Sequence, residues 1–462
     1  MFDAAIIGGG PAGATAGRLL AQWGHSVTIL TAPSSRHPSL AECLPPSTHK
    51  LFHFLGVQEA VDRAGFFPTT GNTVWWGKRR RRIEAYPDRA GYQVRRSDFD
   101  RLLLELASAA GALVQVGKAF HVPDANGARV EFQTDAKRAA VPAKMILDCS
   151  GRAGVIGRSV RVKEKNSHTV ALCGIWRSEK GWTLPDASHT LVESYADGWA
   201  WSVPISPLVR YVAFMVNPRK KGLCAAYLDE LAKTRAFRKI FSRGKLETGP
   251  WGADASLYSS KRFYGPGFLL AGDAGSFIDP LSSFGVKKAM VSAWVAAVVV
   301  NTCLRRPAMR ETAFKFFDDR EREVYTGYLQ KSAALFREAG GRSAFSETPE
   351  VKDNRAIADA LNQLKRKSAI RLLRAENVRV ESKPVIEGRE IVLRDALTMA
   401  GLPAPLDYFE NVDLPRLVDL AVHHTQVPDL FEGYNRACRP VALPNFLAAL
   451  AMLLAERVLV DT

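Results

Sequence analysis

Cysteine is scarce in this 462-residue chain, and the few cysteines are widely separated. No two of them form a CxxC pair, and no group of cysteines and histidines has the spacing of a zinc site. We therefore expect reduced, mostly buried thiols rather than disulfides or a structural metal. The six cysteines are Cys43, Cys149, Cys173, Cys224, Cys303 and Cys438.

Long uncharged apolar runs are also missing. Residues 289–303 are too few to span a bilayer, and residues 441–460 include Glu456 and Arg457. The first residues lack the basic segment and the small-residue cleavage site of a secretory signal. We expect a cytoplasmic protein without stable membrane insertion. The stretch 441–460 leaves open a helix that lies on a membrane surface or in a partner's groove.

Negative charge is under-represented, since 63 Lys and Arg face 47 Asp and Glu and give a net charge of +16. Such an excess favours an acidic partner through long-range attraction. No zinc-finger, helix-turn-helix or RNA-binding signature accompanies it, so we do not expect nucleic acid. The densest basic run is either a solvated hairpin tip or a docking patch for an acidic substrate. It consists of Lys78, Arg79, Arg80, Arg81 and Arg82.

A glycine-rich turn follows the first apolar segment. Residues 3–8 are typical of a buried strand, residues 11–23 of a helix and residues 25–31 of a second strand. In such a unit the first glycine permits a tight turn, the second admits a pyrophosphate and the third allows close helix packing. We predict a dinucleotide site at Gly8, Gly10, Pro11, Ala12 and Gly13.

The second predicted strand ends at Thr31, where dinucleotide-binding units usually carry an acidic residue for the ribose hydroxyls. A threonine hydroxyl offers only a weaker, neutral hydrogen bond. We therefore expect loose or reversible cofactor binding.

A later apolar strand ends in Gly272-Asp273 and precedes Pro280 and a helix that begins near Gly285 and Val286. An aspartate there can bind a ribityl hydroxyl. The helix N-terminus carries a partial positive charge that would favour a reduced, anionic flavin.

In this order the motifs resemble those of the superfamily of flavoprotein monooxygenases and flavin-dependent halogenases, which has the para-hydroxybenzoate hydroxylase fold. Over residues 3–300 the resemblance adds RSDFD at 96–100, DCSG at 148–151 and ECLPP at 42–46 to the two glycine elements. It implies FAD as cofactor, with Arg96 against the flavin nucleotide, Glu42 beside the isoalloxazine, and Asp273 on the ribityl chain. Ser150 and Gly151 belong to the same predicted site.

The predicted fold class is α/β: a Rossmann-like FAD-binding domain, an inserted antiparallel β-sheet substrate domain and a helical C-terminal region. Pro349 and the polar residues after it predict a break within that region. The predicted ranges are 1–65, 93–164 and 262–300 for the FAD-binding domain, 66–92 and 165–261 for the substrate domain, and 301–462 for the C-terminal region.

Two segments bear on the chemistry. Trp199, Trp201 and Pro204 resemble the W-x-W-x-I-P box of the halogenase branch, which is thought to separate the cofactor from the substrate, although two tryptophans on one strand face also suit a core. Residues 65–71 resemble the segment that carries the halogenating lysine, and Thr69 stands at the lysine position. A hydroxyl cannot replace that amine.

The resemblance then implies hydroxylation of an indole ring with molecular oxygen, as in the monooxygenases of tryptophylquinone biogenesis for quinohemoprotein amine dehydrogenase. The implied partner is an acidic peptide or protein that carries the tryptophan. No second dinucleotide motif is visible, so electrons would come from NAD(P)H or a separate reductase. Three alternatives remain open: a halogenase of indole or pyrrole with a differently placed lysine, a lipid reductase of the geranylgeranyl type, and a non-catalytic flavin-binding maturation chaperone.

Overall fold

The computed structural model describes residues 1–33, 39–77, 81–124, 127–135, 137–164, 168–196, 198–217, 222–338, 355–366, 369–402 and 405–461. The chain divides into two compact units, Met1–Thr348 and Pro349–Thr462. The predicted α/β class is confirmed.

A six-stranded sheet is the centre of the first unit, and the predicted strand–helix–strand start lies in its middle. Strand Phe2–Ile7 pairs in parallel with Val27–Thr31 on one side and with Ala143–Asp148 on the other. Helix Pro11–Gln22 confirms the helix predicted at residues 11–23, and helix Arg96–Ala109 begins at the RSDFD segment. In spatial order the strands are Tyr264–Gly265, Phe268–Leu270, Ala143–Asp148, Phe2–Ile7, Val27–Thr31 and Leu113–Val116.

A seven-stranded sheet follows from the β-branched and aromatic runs after residue 169. Its pairs are antiparallel except for one, in which Gly71–Trp75 runs parallel to Thr190–Tyr195. Alternate residues give two different faces, because successive side chains of a strand point to opposite sides. In spatial order the strands are Lys245–Asp254, Val170–Arg177, Val209–Val216, Gly198–Pro204, Thr190–Tyr195, Gly71–Trp75 and Arg82–Ala85.

We call the last two strands the edge hairpin, because Arg82–Ala85 ends the sheet and pairs with Gly71–Trp75 alone among the described strands. The described part of the first unit also contains three small sheets. They are formed by Ala41–Leu44, Gly91–Arg95 and Phe67–Thr69; by Arg138–Val141, Gly127–Gln133 and Lys118–Asp124; and by Arg161–Lys163, Tyr258–Ser260 and Ser276–Phe277.

The last two helices described in the first unit are long. They are the core helix Gly285–Arg305 and the cover helix Arg310–Glu338. By length and composition alone the core helix would be able to cross a membrane, yet 83% of its apolar window is buried against the rest of the fold. This burial makes it a core helix of the first unit. The shorter helices of this unit are Thr48–Phe54, Gln58–Arg63, Leu223–Lys233 and Ala236–Phe241.

The second unit has its own core, in which Leu417, Leu430, Phe446 and Leu450 are completely buried. It is largely helical, as predicted, but it also contains the hairpin Arg379–Glu387 with Glu390–Thr398, which closes at Gly388. The unit begins at Pro349, so residues 301–348 of the predicted C-terminal region belong to the first unit. Its helices are Arg355–Arg366, Leu414–Ala421, Val427–Ala437 and Leu443–Ala455, and its other strands are Leu372–Arg374, Leu459–Asp461, Tyr408–Phe409 and Val412–Asp413.

Candidate active site

A cavity of about 530 Å³, which we call the first cavity, lies at the carboxyl ends of the parallel strands. This is where open α/β sheets bind ligands. Segments far apart in the chain meet there. Of the residues predicted to bind the cofactor, all but Gly13 and Gly272 line it: Gly8, Gly10, Pro11, Ala12, Thr31, Glu42, Arg96, Ser150, Gly151, Asp273, Pro280, Gly285 and Val286.

The glycine turn has the geometry that its spacing predicts. Gly8 has a φ of +105°, which side chains rarely tolerate. A Cβ on Gly13 would stand 1.8 Å from the carbonyl oxygen of Gly8, whereas a Cβ on Gly10 meets nothing closer than 3.6 Å. Gly13 therefore serves the packing of helix on strand, and Gly10 leaves room for a ligand.

Two helix N-termini open onto the first cavity, one at Pro11 and one at Gly285. No side chain caps either of them. Uncapped N–H groups and the helix dipole both favour an anion. The first cavity therefore suits a ligand with negative groups at two places, such as a pyrophosphate and a reduced flavin ring.

Arg96 organises the charged wall of the first cavity. Its guanidinium donates to the carboxylate of Asp100 at 3.0 and 3.1 Å and to Glu42 Oε1 at 3.5 Å. Burial raises the pKa of Glu42, and the Arg96 charge partly opposes that rise. The structure thus brings Arg96 and Glu42 together, as the resemblance implies.

Asp148 is structural. It is completely buried and accepts hydrogen bonds from the backbone N–H groups of Ser150 (3.0 Å), Ile156 (2.6 Å) and Gly157 (2.9 Å). These bonds shape the turn that carries Ser150 and Gly151 to the first cavity. Asp148 itself does not line the first cavity.

Lys288 is a buried cation that the motifs did not reveal. Its ammonium donates to the carbonyl oxygens of Gly272 (3.3 Å) and Ser276 and lies 3.5 Å from Asp273 Oδ1. It therefore holds the turn that presents Asp273 to the first cavity. The sequence signal is a charged residue in the apolar pattern of the core helix.

A second cavity of about 370 Å³ lies between the seven-stranded sheet and the cover helix. It shares one lining residue with the first cavity, Ser283, whose φ of +52° is unusual for a residue other than glycine. The two cavities therefore meet at the segment 280–285. The second cavity is lined by Cys43, Pro45, Ser47, Asn72, Val74, Trp76, Arg82, Glu84, Tyr86, Thr190, Val192, Leu281, Ser283, Phe284, Lys331 and Leu335.

Thr69 lies behind the wall of the second cavity. It has no exposed surface, and its hydroxyl donates to the carbonyl oxygen of Gly71 at 3.3 Å. It also hydrogen-bonds with the thiol of Cys43, which faces the second cavity. Burial raises the pKa of that thiol to about 11, so it is neutral.

The described residues that line the second cavity include one amine, Lys331 of the cover helix, whose side chain is exposed. The ring of Tyr328, one turn earlier in that helix, lies 5.5 Å from its ammonium. Sequence reasoning did not single out this lysine, because its place at the second cavity depends on how the cover helix packs.

The predicted tryptophan box lies on the cavity side of the seven-stranded sheet. Trp199 and Trp201 are buried in a cluster with Trp76, and the ring centroids of Trp76 and Trp199 are 6.5 Å apart. Pro204 ends the same strand. Of the three tryptophans, Trp76 lines the second cavity, and the other two pack with it in the same buried cluster. The structure therefore agrees with both interpretations of the box: a barrier between cofactor and substrate, and a part of the hydrophobic core.

The basic run is described in part: Lys78, Arg79 and Arg80 lie outside the described residues. Arg82 points to the second cavity and pairs with Glu84 at 2.7 Å, whereas Arg81 points to the opposite face of the edge hairpin. Among the described residues, no group of three or more His, Cys, Asp or Glu side chains is placed to hold a metal ion.

Comparison with protein families gives a match over residues 1–300 to the model described as "FAD binding domain". Among curated proteins, a tryptophan 2-halogenase of Chondromyces crocatus is 29% identical over 71% of this chain and 66% of its own length. The flavin-dependent halogenase armH3 of Armillaria mellea is 27% identical over 89% of this chain and 85% of its own.

Two solved structures share the fold over nearly the whole chain. The flavin-dependent halogenase CmlS has a TM-score of 0.79 at 22% identity and covers 100% of this chain and 96% of its own. The peptidyl tryptophan dihydroxylase QhpG, essential for tryptophylquinone cofactor biogenesis, has a TM-score of 0.75 at 20% identity and covers 98% and 99%. The residues of the first cavity fit FAD, and the predicted cofactor is confirmed.

Proposed function

Since this chain belongs to the FAD binding domain family, with FAD as its cofactor, we propose that it hydroxylates an aromatic ring held in the second cavity. Bound FAD, once reduced, supplies activated oxygen from O₂, as is typical of flavin-dependent monooxygenases. One observation carries the choice of hydroxyl over halogen: in the segment 65–71, which resembles the lysine-bearing segment of halogenases, the lysine position holds a buried threonine, Thr69.

The side chains of the second cavity suit an aromatic ring. Trp76, Val74 and Leu335 supply apolar surface, and about 370 Å³ accommodates an indole. Activated oxygen is useful only where water is excluded, and the buried cluster of Trp199 and Trp201 backs the cavity wall. This buried cluster keeps water away from one side of the second cavity, and oxygen transfer benefits from such exclusion.

Glu84 is the carboxylate that lines the second cavity in the described part of the chain. The Asn72 amide donates to it at 3.2 Å, and Arg82 pairs with it at 2.7 Å. After hydroxyl transfer the attacked ring carbon loses a proton, and Glu84 is positioned to accept it or to bind an indole N–H.

We further propose that the ring belongs to a tryptophan within an acidic polypeptide. The net charge of +16 supports an acidic partner. The name of one full-length structural neighbour, a peptidyl tryptophan dihydroxylase, supports a peptide substrate. The name of one curated relative, a tryptophan 2-halogenase, supports an indole ring.

Halogenation is the second candidate. The curated relatives reported above are halogenases, and their names favour it over hydroxylation. Lys331 of the second cavity would then have to replace the absent lysine. The two candidates differ in the atom that is added to the ring, so mass spectrometry separates them.

The test supplies FAD, NADH and a flavin reductase to the protein with tryptophan, indole and Glu-rich tryptophan peptides. Reactions run under ¹⁸O₂ in the presence and absence of bromide. We expect a gain of one or two ¹⁸O atoms and no bromine, and the same result for Lys331→Met. Bromine incorporation that is lost in Lys331→Met would establish the second candidate instead. Bound FAD without any oxidised product, or ring oxygen derived from water, would refute the monooxygenase proposal.

A further inference from the structure

A third hollow of about 500 Å³, which we call the outer groove, lies on the far side of the edge hairpin from the second cavity. Successive side chains of strand Gly71–Trp75 and of the residue after it point in turn to the second cavity and to the outer groove. Val74 and Trp76 face the second cavity, and Thr73 and Trp75 face the outer groove. Nothing in the proposed chemistry uses this groove.

Three cations surround the outer groove: Arg81 directly before the last strand of the edge hairpin, Arg235 directly before helix Ala236–Phe241, and Lys239 in the last turn of that helix. Their side chains are exposed. Within the described residues, no carboxylate forms an ion pair with any of the three. The half-buried indole of Trp75 and the side chain of Leu184 provide apolar surface between them.

One acidic residue, Glu193, also lines the outer groove, but its carboxylate is engaged elsewhere. It is 3% exposed, and its carboxylate accepts hydrogen bonds from the backbone N–H groups of Arg235 (2.6 Å), Ala236 (3.0 Å) and Phe237 (2.8 Å). Glu193 thus caps the N-terminus of helix Ala236–Phe241 and is buried, whereas the three cations are exposed to solvent.

We propose that the outer groove binds an acidic stretch of the polypeptide whose tryptophan enters the second cavity, an inference that rests on the proposed function. Arg81 faces the groove, and the next residue, Arg82, faces the second cavity. The strand between the two sites is the free edge of the sheet, so an extended chain passes over one strand to reach both. The three cations provide the charge complementarity, and Trp75 provides apolar contact.

The binding test uses a fluorescein-labelled peptide with one tryptophan between runs of glutamate, and a matched peptide with glutamine for glutamate. The groove variant is Arg81→Gln with Arg235→Gln and Lys239→Gln. The matched control removes the same charge from exposed cations that line none of the three cavities: Arg63→Gln with Arg158→Gln and Lys315→Gln.

We expect the groove variant to bind the acidic peptide about tenfold more weakly and the control to bind it within about twofold of the unmodified protein. The glutamine peptide should bind poorly to all three. Equal weakening in the groove variant and the control would show that only total charge matters and would overturn the proposal. So would tight binding of the glutamine peptide.

A turnover measurement separates the groove from the chemistry. With free indole as substrate, the groove variant should oxidise as fast as the unmodified protein, whereas its kcat/KM for the acidic peptide should fall about tenfold. Loss of both activities would overturn the groove proposal. If the peptide binds through the three cations and no substrate gains oxygen, the proposed function fails and the groove remains a peptide-binding site.

Discussion

Glycines of the first turn serve two separate purposes, although they are only three residues apart. Gly13 lies where helix Pro11–Gln22 crosses the first strand, and any side chain there would collide with the carbonyl oxygen of Gly8. Gly10 faces the open first cavity. Gly13 is therefore needed for the packing of the helix on the strand, and Gly10 is needed to leave room for the ligand.

Substituting these two glycines should therefore have different effects. Gly13→Ala should lower the melting temperature of the FAD-free protein, because helix and strand must separate. Gly10→Leu should leave that melting temperature nearly unchanged and abolish FAD binding, because the side chain fills the pyrophosphate position. Differential scanning fluorimetry and flavin titration measure the two effects. Loss of stability in Gly10→Leu, with FAD binding retained, would contradict this assignment.

Thr31 lines the first cavity at the end of its strand, and its hydroxyl makes a long 3.5 Å hydrogen bond to the carbonyl oxygen of Ala32. Thr31→Glu should bind FAD about tenfold more tightly, since a charged acceptor strengthens a ribose hydrogen bond by roughly 1–2 kcal/mol. Thr31→Val should change the affinity little. Calorimetric titration of the FAD-free protein gives all three dissociation constants, and weaker binding by Thr31→Glu would disprove the explanation.

At the scale of elements, the packing of the cover helix on the core helix buries an acid. Glu321 of the cover helix is 3% exposed and hydrogen-bonds with Ser292 of the core helix. Burial raises its pKa to about 7, although the charges of Lys288 and Arg320 oppose the rise. The Ser292 hydroxyl also accepts from the Gly272 amide at 2.9 Å, so this contact supports the turn beside the first cavity.

A carboxyl whose pKa is raised by folding stabilises the protein fully below its unfolded pKa, and the stabilisation is lost as pH rises through the folded pKa. For Glu321 the loss falls between about pH 4.5 and pH 7 and amounts to about 3 kcal/mol. Glu321→Gln should therefore reduce the decline in unfolding free energy from pH 5 to pH 8 by about this amount. Denaturant titrations at both pH values measure it.

The matched control is Glu323→Gln on the same helix, where the carboxylate is exposed and pairs only with Arg320 in the described part of the chain. Its pH dependence should equal that of the unmodified protein. A Glu321→Gln variant with an unchanged decline would show that Glu321 is ionised throughout this range.

At the scale of the whole molecule, the net charge of +16 acts over distances beyond any single contact. Salt shortens that range, because the screening length falls from about 10 Å at 0.1 M to about 3 Å at 1 M. The charge should speed encounters with an acidic polypeptide and should affect a neutral one little.

We therefore expect the association rate of the Glu-rich tryptophan peptide to fall about tenfold between roughly 0.05 and 0.5 M salt. The association rate of the glutamine peptide should show a much smaller change. Stopped-flow fluorescence at several salt concentrations measures the slopes. Parallel slopes for the two peptides would rule out electrostatic steering.

Local patterns were enough to predict the first cavity. The glycine turn, Arg96 and Gly272-Asp273 each have a meaning set by a few neighbouring residues, and parallel strands bring their ends to one edge of a sheet. Thr69 could likewise be recognised from its position within a short segment, and the structure places it next to Cys43. These predictions rest on turn geometry and side-chain period, which are properties of short stretches of chain.

Tertiary packing alone decided the rest. The second cavity joins Cys43, Asn72, Thr190, Ser283 and Lys331, and no local period links residues so far apart. The pairing of Glu321 with Ser292, the outer groove and the end of the first unit at Thr348 likewise depend on how helices and sheets pack. The sequence by itself determined the cofactor and the fold class, because both are encoded in short motifs. The substrate side depends on long-range contacts, so only the folded structure shows it.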